Sequence, residues 1–298
     1  MNKKVSVVVT CYNHEAYIEQ CLKSIFYQSY PAIELLIFND GSTDKSDEII
    51  RGLLKDSPFK TQYFFSKNQG IANVRNLALT KISGEFLLFV DSDNFLDKDY
   101  VEILYRGLNK SNADIAYARL WDFVNETDVL AGDLEYTFEK ELEGNRIDNC
   151  SLIRTSKLGQ AGFDRELKKL IDYDFILNLI INEKAKPIYI QETKLNYRVL
   201  ENSISDHGNW DKYYKAYFSI LDKYIQKIPI DVVEALKKNV ETWVSGYSNL
   251  EIEKNKFMLN SQKEIDELNK ALQSLKSSRS YKLGKLLLLP IRLLRRKK

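Results

Sequence analysis

The chain has 298 residues, 44% of them apolar, with 44 basic against 42 acidic side chains and a formal charge of +2. That length holds one α/β domain of about 200 to 250 residues plus an appendage, with enough apolar residues for a real core. Cys11, Cys21 and Cys150 lack paired ligand spacing, which excludes a structural zinc and points to reduced thiols; with only His14 and His207, histidine-centred catalysis is disfavoured.

The small net charge hides an asymmetry. From Leu268 onward there are ten basic residues and no acidic one, which leaves residues 1–267 at −8. Basic residues flanking an apolar run, with only Tyr281 as an aromatic, fit an anionic membrane surface better than nucleic acid. At the other end, residues 1–4 lead straight into a strand-like segment, too short for a signal sequence or span. The expected location is cytoplasmic, peripheral on the cytoplasmic face of the inner membrane.

Residues 5–9 are mostly β-branched and predict a first strand, ending at Thr10-Cys11-Tyr12-Asn13, with Asn13 placed to cap a helix carrying Ile18, Leu22, Ile25 and Phe26. A second buried strand over 33–38 ends at Asn39-Asp40-Gly41-Ser42-Thr43-Asp44, where Gly41 can take positive φ and Asp44 can cap the next helix. A third strand over 61–65 leads to Asn68-Gln69-Gly70 and a helix with Ile71, Val74 and Arg75. The run 85–90 is nearly all apolar and stops at Asp91-Ser92-Asp93-Asn94, a fourth strand buried on both faces and ended by two carboxylates. Strands alternating with helices predict a doubly wound parallel sheet whose polar clusters gather on one edge, where such sheets bind nucleotides. Neither a Gly-rich dinucleotide turn nor a phosphate loop is present. Asp91 and Asp93 offer hard oxygens suited to Mg²⁺ or Mn²⁺ carrying a phosphate ester.

The ordered set Val-Val-Thr-Cys-Tyr-Asn, Asn-Asp-Gly-Ser-Thr-Asp, Asn68-Gln-Gly with Arg75-Asn76, and Phe-Val-Asp-Ser-Asp resembles glycosyltransferase family 2, inverting enzymes of the GT-A fold, over roughly the first two hundred residues. The resemblance implies that Thr10 and Tyr12 line the base pocket, Asp40 hydrogen-bonds the base and Arg75 lies by the nucleotide. Asp91 would face ribose or metal, Ser92 the donor, and Asp93 would ligate the metal. The residues fit these roles: Tyr12 can cover a pyrimidine, and a fixed carboxylate at Asp40 accepts from uracil N–H but not from cytosine, favouring a UDP-sugar. The lesser alternative for Arg75 is a solvated helix charge.

A helix over 100–108 and a strand over 114–120 follow, then a hairpin or flap over 121–138. Lys169-Leu170-Ile171-Asp172-Tyr173-Asp174 matches the place where the family carries Glu-Asp at a helix start. Ile171 replaces the Glu, and Asp172 aligns with the catalytic base; Asp174, or simple helix capping, stays open. Residues 187–190 and 193–199 predict two more strands. Arg198 either offers charge to the leaving diphosphate or forms a structural ion pair. Leu200 stands where the family often has His, and His207 would reach the diphosphate only if its loop folded over.

Helices are predicted over 213–228 and 231–247. Ile265, Leu268, Leu272 and Leu275 then keep a seven-residue rhythm that suits core packing on the preceding helix or a homo-oligomer. Residues 283–294, apolar and flanked by basic groups, suit the headgroup region of a membrane. The expected organisation is therefore a GT-A type, Rossmann-like α/β domain over 1–208, mainly parallel with helices on both faces. Its nucleotide-sugar half is 1–110 and its acceptor half 111–208; a helical extension (209–278) and a basic amphipathic tail (279–298) follow. The expected activity is metal-dependent, inverting sugar transfer from a UDP-sugar to a hydroxyl of a glycan or lipid-linked acceptor in cell-surface polysaccharide or glycoconjugate synthesis. Two alternatives stay open: a sugar-nucleotide-binding scaffold and an aspartyl-nucleophile phosphatase.

Overall fold

The computed structural model describes residues 2–130, 132–200 and 210–278. Val5–Cys11 (β1) and Ile33–Asn39 (β2) are buried at every position. A strand buried on both faces needs helices on either side of its sheet. Ile18–Phe26 (α1), between them, turns Ile18, Cys21, Leu22 and Ile25 into the core. Ser46–Leu53 (α2), Lys60–Phe65 (β3), Ile71–Leu79 (α3) and Phe86–Asp91 (β4) complete the first half. The four strands pair in parallel in the order β3-β2-β1-β4. Their register sets Cys11 beside Asn39 and Thr10 beside Asp91, so the carboxyl ends of β1, β2 and β4 share one edge.

The second half adds Phe95–Leu96 (β5), Tyr100–Ser111 (α4), Ile115–Asp122 (β6), Thr127–Asp128 (β7), Phe138–Glu143 (α5), Leu152–Arg154 (β8), Ile171–Ile181 (α6) and Pro187–Tyr197 (β9). Among the described residues the nine strands make one sheet, β3-β2-β1-β4-β8-β6-β9-β5, with β7 on β6. β8 runs antiparallel to both β4 and β6, which makes the sheet mixed. The two strands predicted over 187–199 are one, β9, because a bulge opposite 117–119 absorbs the irregularity without ending the pairing. The predicted flap over 121–138 is a short β6–β7 hairpin followed by α5.

Asn13 does not cap α1. It lies at φ 54°, and its side-chain oxygen accepts from the Thr43 amide at 2.8 Å, tying the first loop to the second. Nor does Asp44 occupy the cap of α2, a place Lys45 takes without a side-chain cap bond; Asp44 accepts from the Ser46 amide at 3.0 Å and from the Glu15 amide at 2.9 Å.

Trp210–Tyr224 (α7) and Ile230–Ser277 (α8) follow. The chain divides into compact units 1–233 and 234–298. α7 belongs to the first unit because the Tyr217 hydroxyl donates to the Leu142 carbonyl at 2.6 Å and Lys223 to Asp174 at 3.1 Å. Beyond Pro229 the sequence predicts separate helical segments; the structure has one 48-residue helix. The heptad residues Ile265, Leu268, Leu272 and Leu275 are 49–66% exposed, so they are not core. No helix among the described residues is long and apolar enough to cross a membrane. His207 and the tail over 279–298 lie outside the described residues.

Candidate active site

The edge where the parallel strands end carries most of the predicted residues. Arg75, on α3, is buried rather than solvated: its side chain is 4% exposed. One guanidinium nitrogen donates to Asp91 Oδ1 at 2.8 Å and the other to Asp172 Oδ1. The cation thus joins the end of β4 to the start of α6, where Asp172 lies 97 residues beyond Arg75 in the chain. Phe89 and Phe163 lie against the guanidinium, with their centroids 5.9 and 5.4 Å away. Asn76 explains how Phe163 gets there: its amide exchanges two hydrogen bonds of 2.8 Å with the Phe163 backbone.

Asp172 is not a helix cap. Leu170 occupies that position at φ 58°, a left-handed conformation unusual for a branched side chain. Burial and the nearby Asp91 charge push the Asp172 carboxyl up, against the downward pull of Arg75. Asp174 faces elsewhere: it accepts from the Tyr224 hydroxyl at 3.1 Å and pairs with Lys223 at 3.1 Å.

Asp93 has a different environment. Burial first, and the Asp91 charge second, push its carboxyl up to about 7. Its Oδ1 is buried with no hydrogen-bond partner. A carboxylate oxygen left bare in a site with several acids costs free energy unless a cation or proton joins it. The donor chemistry therefore fits a hard divalent ion on Asp93 with Asp91. Among the described residues no group of three or more potential ligands is assembled, so the remaining positions would fall to donor oxygens and water.

Asp40 is buried at the end of β2 and accepts from the amides of Gln69 and Gly70, both at 2.9 Å. It thereby holds the Asn68-Gln69-Gly70 turn against the second loop. Gly41 is required there, because at φ 74° a Cβ would meet the Asn68 amide nitrogen at 2.6 Å. Thr10 donates to Asp91 Oδ1 at 3.3 Å, and Tyr12, just past the end of β1, is 45% exposed. The Arg198 guanidinium donates to the Asp93 carbonyl at 3.0 Å and to Gln20 at 2.8 Å. It also stacks over Tyr17 and Phe123, 4.5 and 4.7 Å from their centroids.

Three participants were not predicted. His14 Nδ1 hydrogen-bonds the buried Ser92 hydroxyl at 2.7 Å, and burial holds its pKa below the usual value. Asp148 lies close enough for its carboxyl to feel Asp91 and Asp172; burial chiefly pushes it up to about 6. Asn94 accepts from the Arg198 amide at 2.9 Å and fixes that segment to the acidic turn. His14 follows the first motif directly and was legible as a candidate; Asp148 sits in a loop with no motif to mark it.

The family model described as glycosyl transferase family 2 matches residues 6–164, from β1 to just past the Asn76-bound Phe163. The chain belongs to glycosyl transferase family 2. It is similar to glycosyltransferase GlyA of Streptococcus pneumoniae, 32% identical over 223 residues. That match takes in 69% of this chain and 32% of GlyA, so the chain spans about a third of that relative's length. It also resembles the minor teichoic acid biosynthesis protein GgaB of Bacillus subtilis, 28% identical over 77% of this chain and 28% of GgaB. By fold it is similar to residues 1–349 of S. aureus TarS in complex with UDP-GlcNAc, with TM-score 0.63 and 22% identity over 76% of this chain and 68% of that one. The mannosyltransferase PcManGT of Pyrobaculum calidifontis, in complex with GDP-Man and Mn²⁺, matches with TM-score 0.62 and 18% identity over 77% and 66%. These likenesses establish the GT-A fold. Family membership also removes the aspartyl-phosphatase alternative.

Proposed function

We propose that this chain transfers a sugar from a UDP-sugar to a hydroxyl, with inversion, using a divalent cation. The observation that carries the proposal is the unpartnered, buried Asp93 oxygen in the turn after β4, two residues from Asp91, which itself shares the Arg75 ion pairs with Asp172. A bound Mg²⁺ or Mn²⁺ would supply charge for the leaving diphosphate. Asp93 and Asp91 would hold it. Asp172, its carboxyl raised by burial yet kept ionisable by Arg75, suits accepting the proton of the attacking hydroxyl. One displacement inverts the anomeric centre, so no protein nucleophile is needed. Arg75 keeps the metal side and the base side at a fixed separation, and Arg198 brings a second cation to the acidic turn.

The uridine preference rests on Tyr12 and Asp40. Each carboxylate oxygen of Asp40 accepts one backbone amide and retains a lone pair for a base N–H, while the exposed Tyr12 ring is free to cover the pyrimidine. The relative named for teichoic acid biosynthesis supports a surface-polysaccharide acceptor, glycan or lipid-linked, and the structural neighbour in complex with UDP-GlcNAc supports a UDP-sugar donor. The basic tail over 279–298 would bring the enzyme to the inner membrane surface. The test is release of UDP from a panel of nucleotide-sugars with Mn²⁺ or Mg²⁺ and with chelator. Metal-dependent release from one UDP-sugar and none from GDP- or CDP-sugars is the expected result. Equal release under chelator removes the metal reading, and tight donor binding without any turnover supports the scaffold alternative.

A further inference from the structure

Along 258–275 of α8, six large apolar side chains are exposed: Met258, Leu259, Ile265, Leu268, Leu272 and Leu275. Five of them fall on one seam. Met258, Ile265 and Leu272 are seven apart, and Leu268 and Leu275 lie three residues after the last two; Ser261 fills the remaining place, and only Leu259 lies off the line. A strict seven-residue repeat on a narrow seam is the pattern of a helix that supercoils with another helix. A helix on a globular surface carries a wider stripe with a period of 3.6.

We infer that the α8 segment 258–275 is a parallel, in-register, two-stranded coiled-coil interface, and that its partner is a second copy of this chain. Three features select that occupant. An anionic membrane is disfavoured because Glu264, Asp266 and Glu267 share the polar faces with Lys263 and Lys270. Self-pairing is electrostatically permitted: in parallel register Glu264 faces Asn269 of the second copy and Ala271 faces Lys276, with no like charges opposed. Orientation follows from the seam. An antiparallel overlay would oppose Ser261 to Leu272 in two layers, whereas the parallel one confines serine to a single layer. Ile265 at a β-branched-preferring position followed by Leu268 also favours two parallel strands. The segment lies inside a 48-residue helix, so association need not nucleate helix from coil.

The test uses the full chain. Size exclusion with light scattering at about 5 to 50 μM should give the mass of two 34.7 kDa chains, and Leu268→Asp should give one, with unchanged helix content and donor turnover. Leu268 is already exposed in the single chain, so the substitution spares its fold. Cysteine cross-linking then reads the register: Leu268→Cys should form an inter-chain disulfide at least tenfold faster than Lys270→Cys on the outer face. The native Cys11, Cys21 and Cys150 are buried and stay silent. A wild-type mass of one chain throughout, an unchanged mass for Leu268→Asp, or equal cross-linking at 268 and 270 overturns the inference.

Discussion

The parallel-strand edge and the far part of α8 break the usual rule of burial in opposite directions. At the edge, charges are buried: Arg75 is 4% exposed and is held by Asp91 and Asp172. In α8 leucines are exposed, with Leu268 at 66%. A buried charge network needs its partners in place, and the bare oxygen on Asp93 beside it is the one the proposed cation would satisfy. An exposed apolar seam has its whole surface still to be covered. On the two proposals made above, the departures serve two kinds of recognition, one for a small cation-bridged anionic donor and one for another helix.

The largest expected effect tests the buried side. Asp93→Ala and Asp172→Asn should each lower transfer by about a thousandfold or more, with Asp172→Asn still binding UDP by calorimetry. Wild-type turnover by Asp172→Asn would remove it as the base. Arg75→Met should cost about 3 kcal/mol in urea unfolding, because it leaves Asp91 and Asp172 facing each other without their shared cation. If stability is unchanged, the network is not what binds β4 to α6.

Acidification sharpens the contrast further. With the Asp93 carboxyl raised to about 7, protons compete with the cation across the physiological range. More Mn²⁺ should be needed for half-maximal activity at pH 6 than at pH 8, by roughly tenfold for one group titrating near 7. A flat Mn²⁺ requirement from pH 6 to 8 would show that Asp93 is not the group the cation displaces a proton from.

The smallest effect concerns Glu141 on α5, which is 1% exposed. No hydrogen bond of normal geometry reaches its carboxylate, although the Arg146 and Ile147 amides lie near. Burial raises its folded pKa well above the usual value. Below the unfolded pKa both states are protonated and there is no ionisation penalty; the penalty grows as pH rises from the unfolded value toward the folded one. Glu141→Gln should therefore gain about 1 kcal/mol at pH 8 and nothing near pH 4, read from thermal unfolding at the two pH values. An equal gain at both would assign the effect to packing.

Much of the first half of the sheet was written in local sequence. Fully apolar strands such as 86–90, and polar turns directly after them, specify a parallel sheet with its ligands at one edge, since side-chain period and turn chemistry act over a few residues. The order of Asp40, Arg75 and Asp91 was legible for the same reason. The Asp172 position was legible only through the family resemblance, because Ile171 blurs the motif.

Other features depended on contacts between distant segments. That Arg75 is buried between Asp91 and Asp172, that Asn76 pins Phe163 beside it, that His14 reaches Ser92, and that Asp148 comes near the acidic turn all require elements up to about a hundred residues apart to meet. The seven-residue rhythm of 258–275 was visible in the chain, yet whether it faced the core or solvent was a matter of what packs on it. Sequence by itself determined the elements, their order and the residue types at the strand ends. Tertiary structure alone decided which charges are shielded from water and paired, because shielding and pairing are properties of neighbours in space.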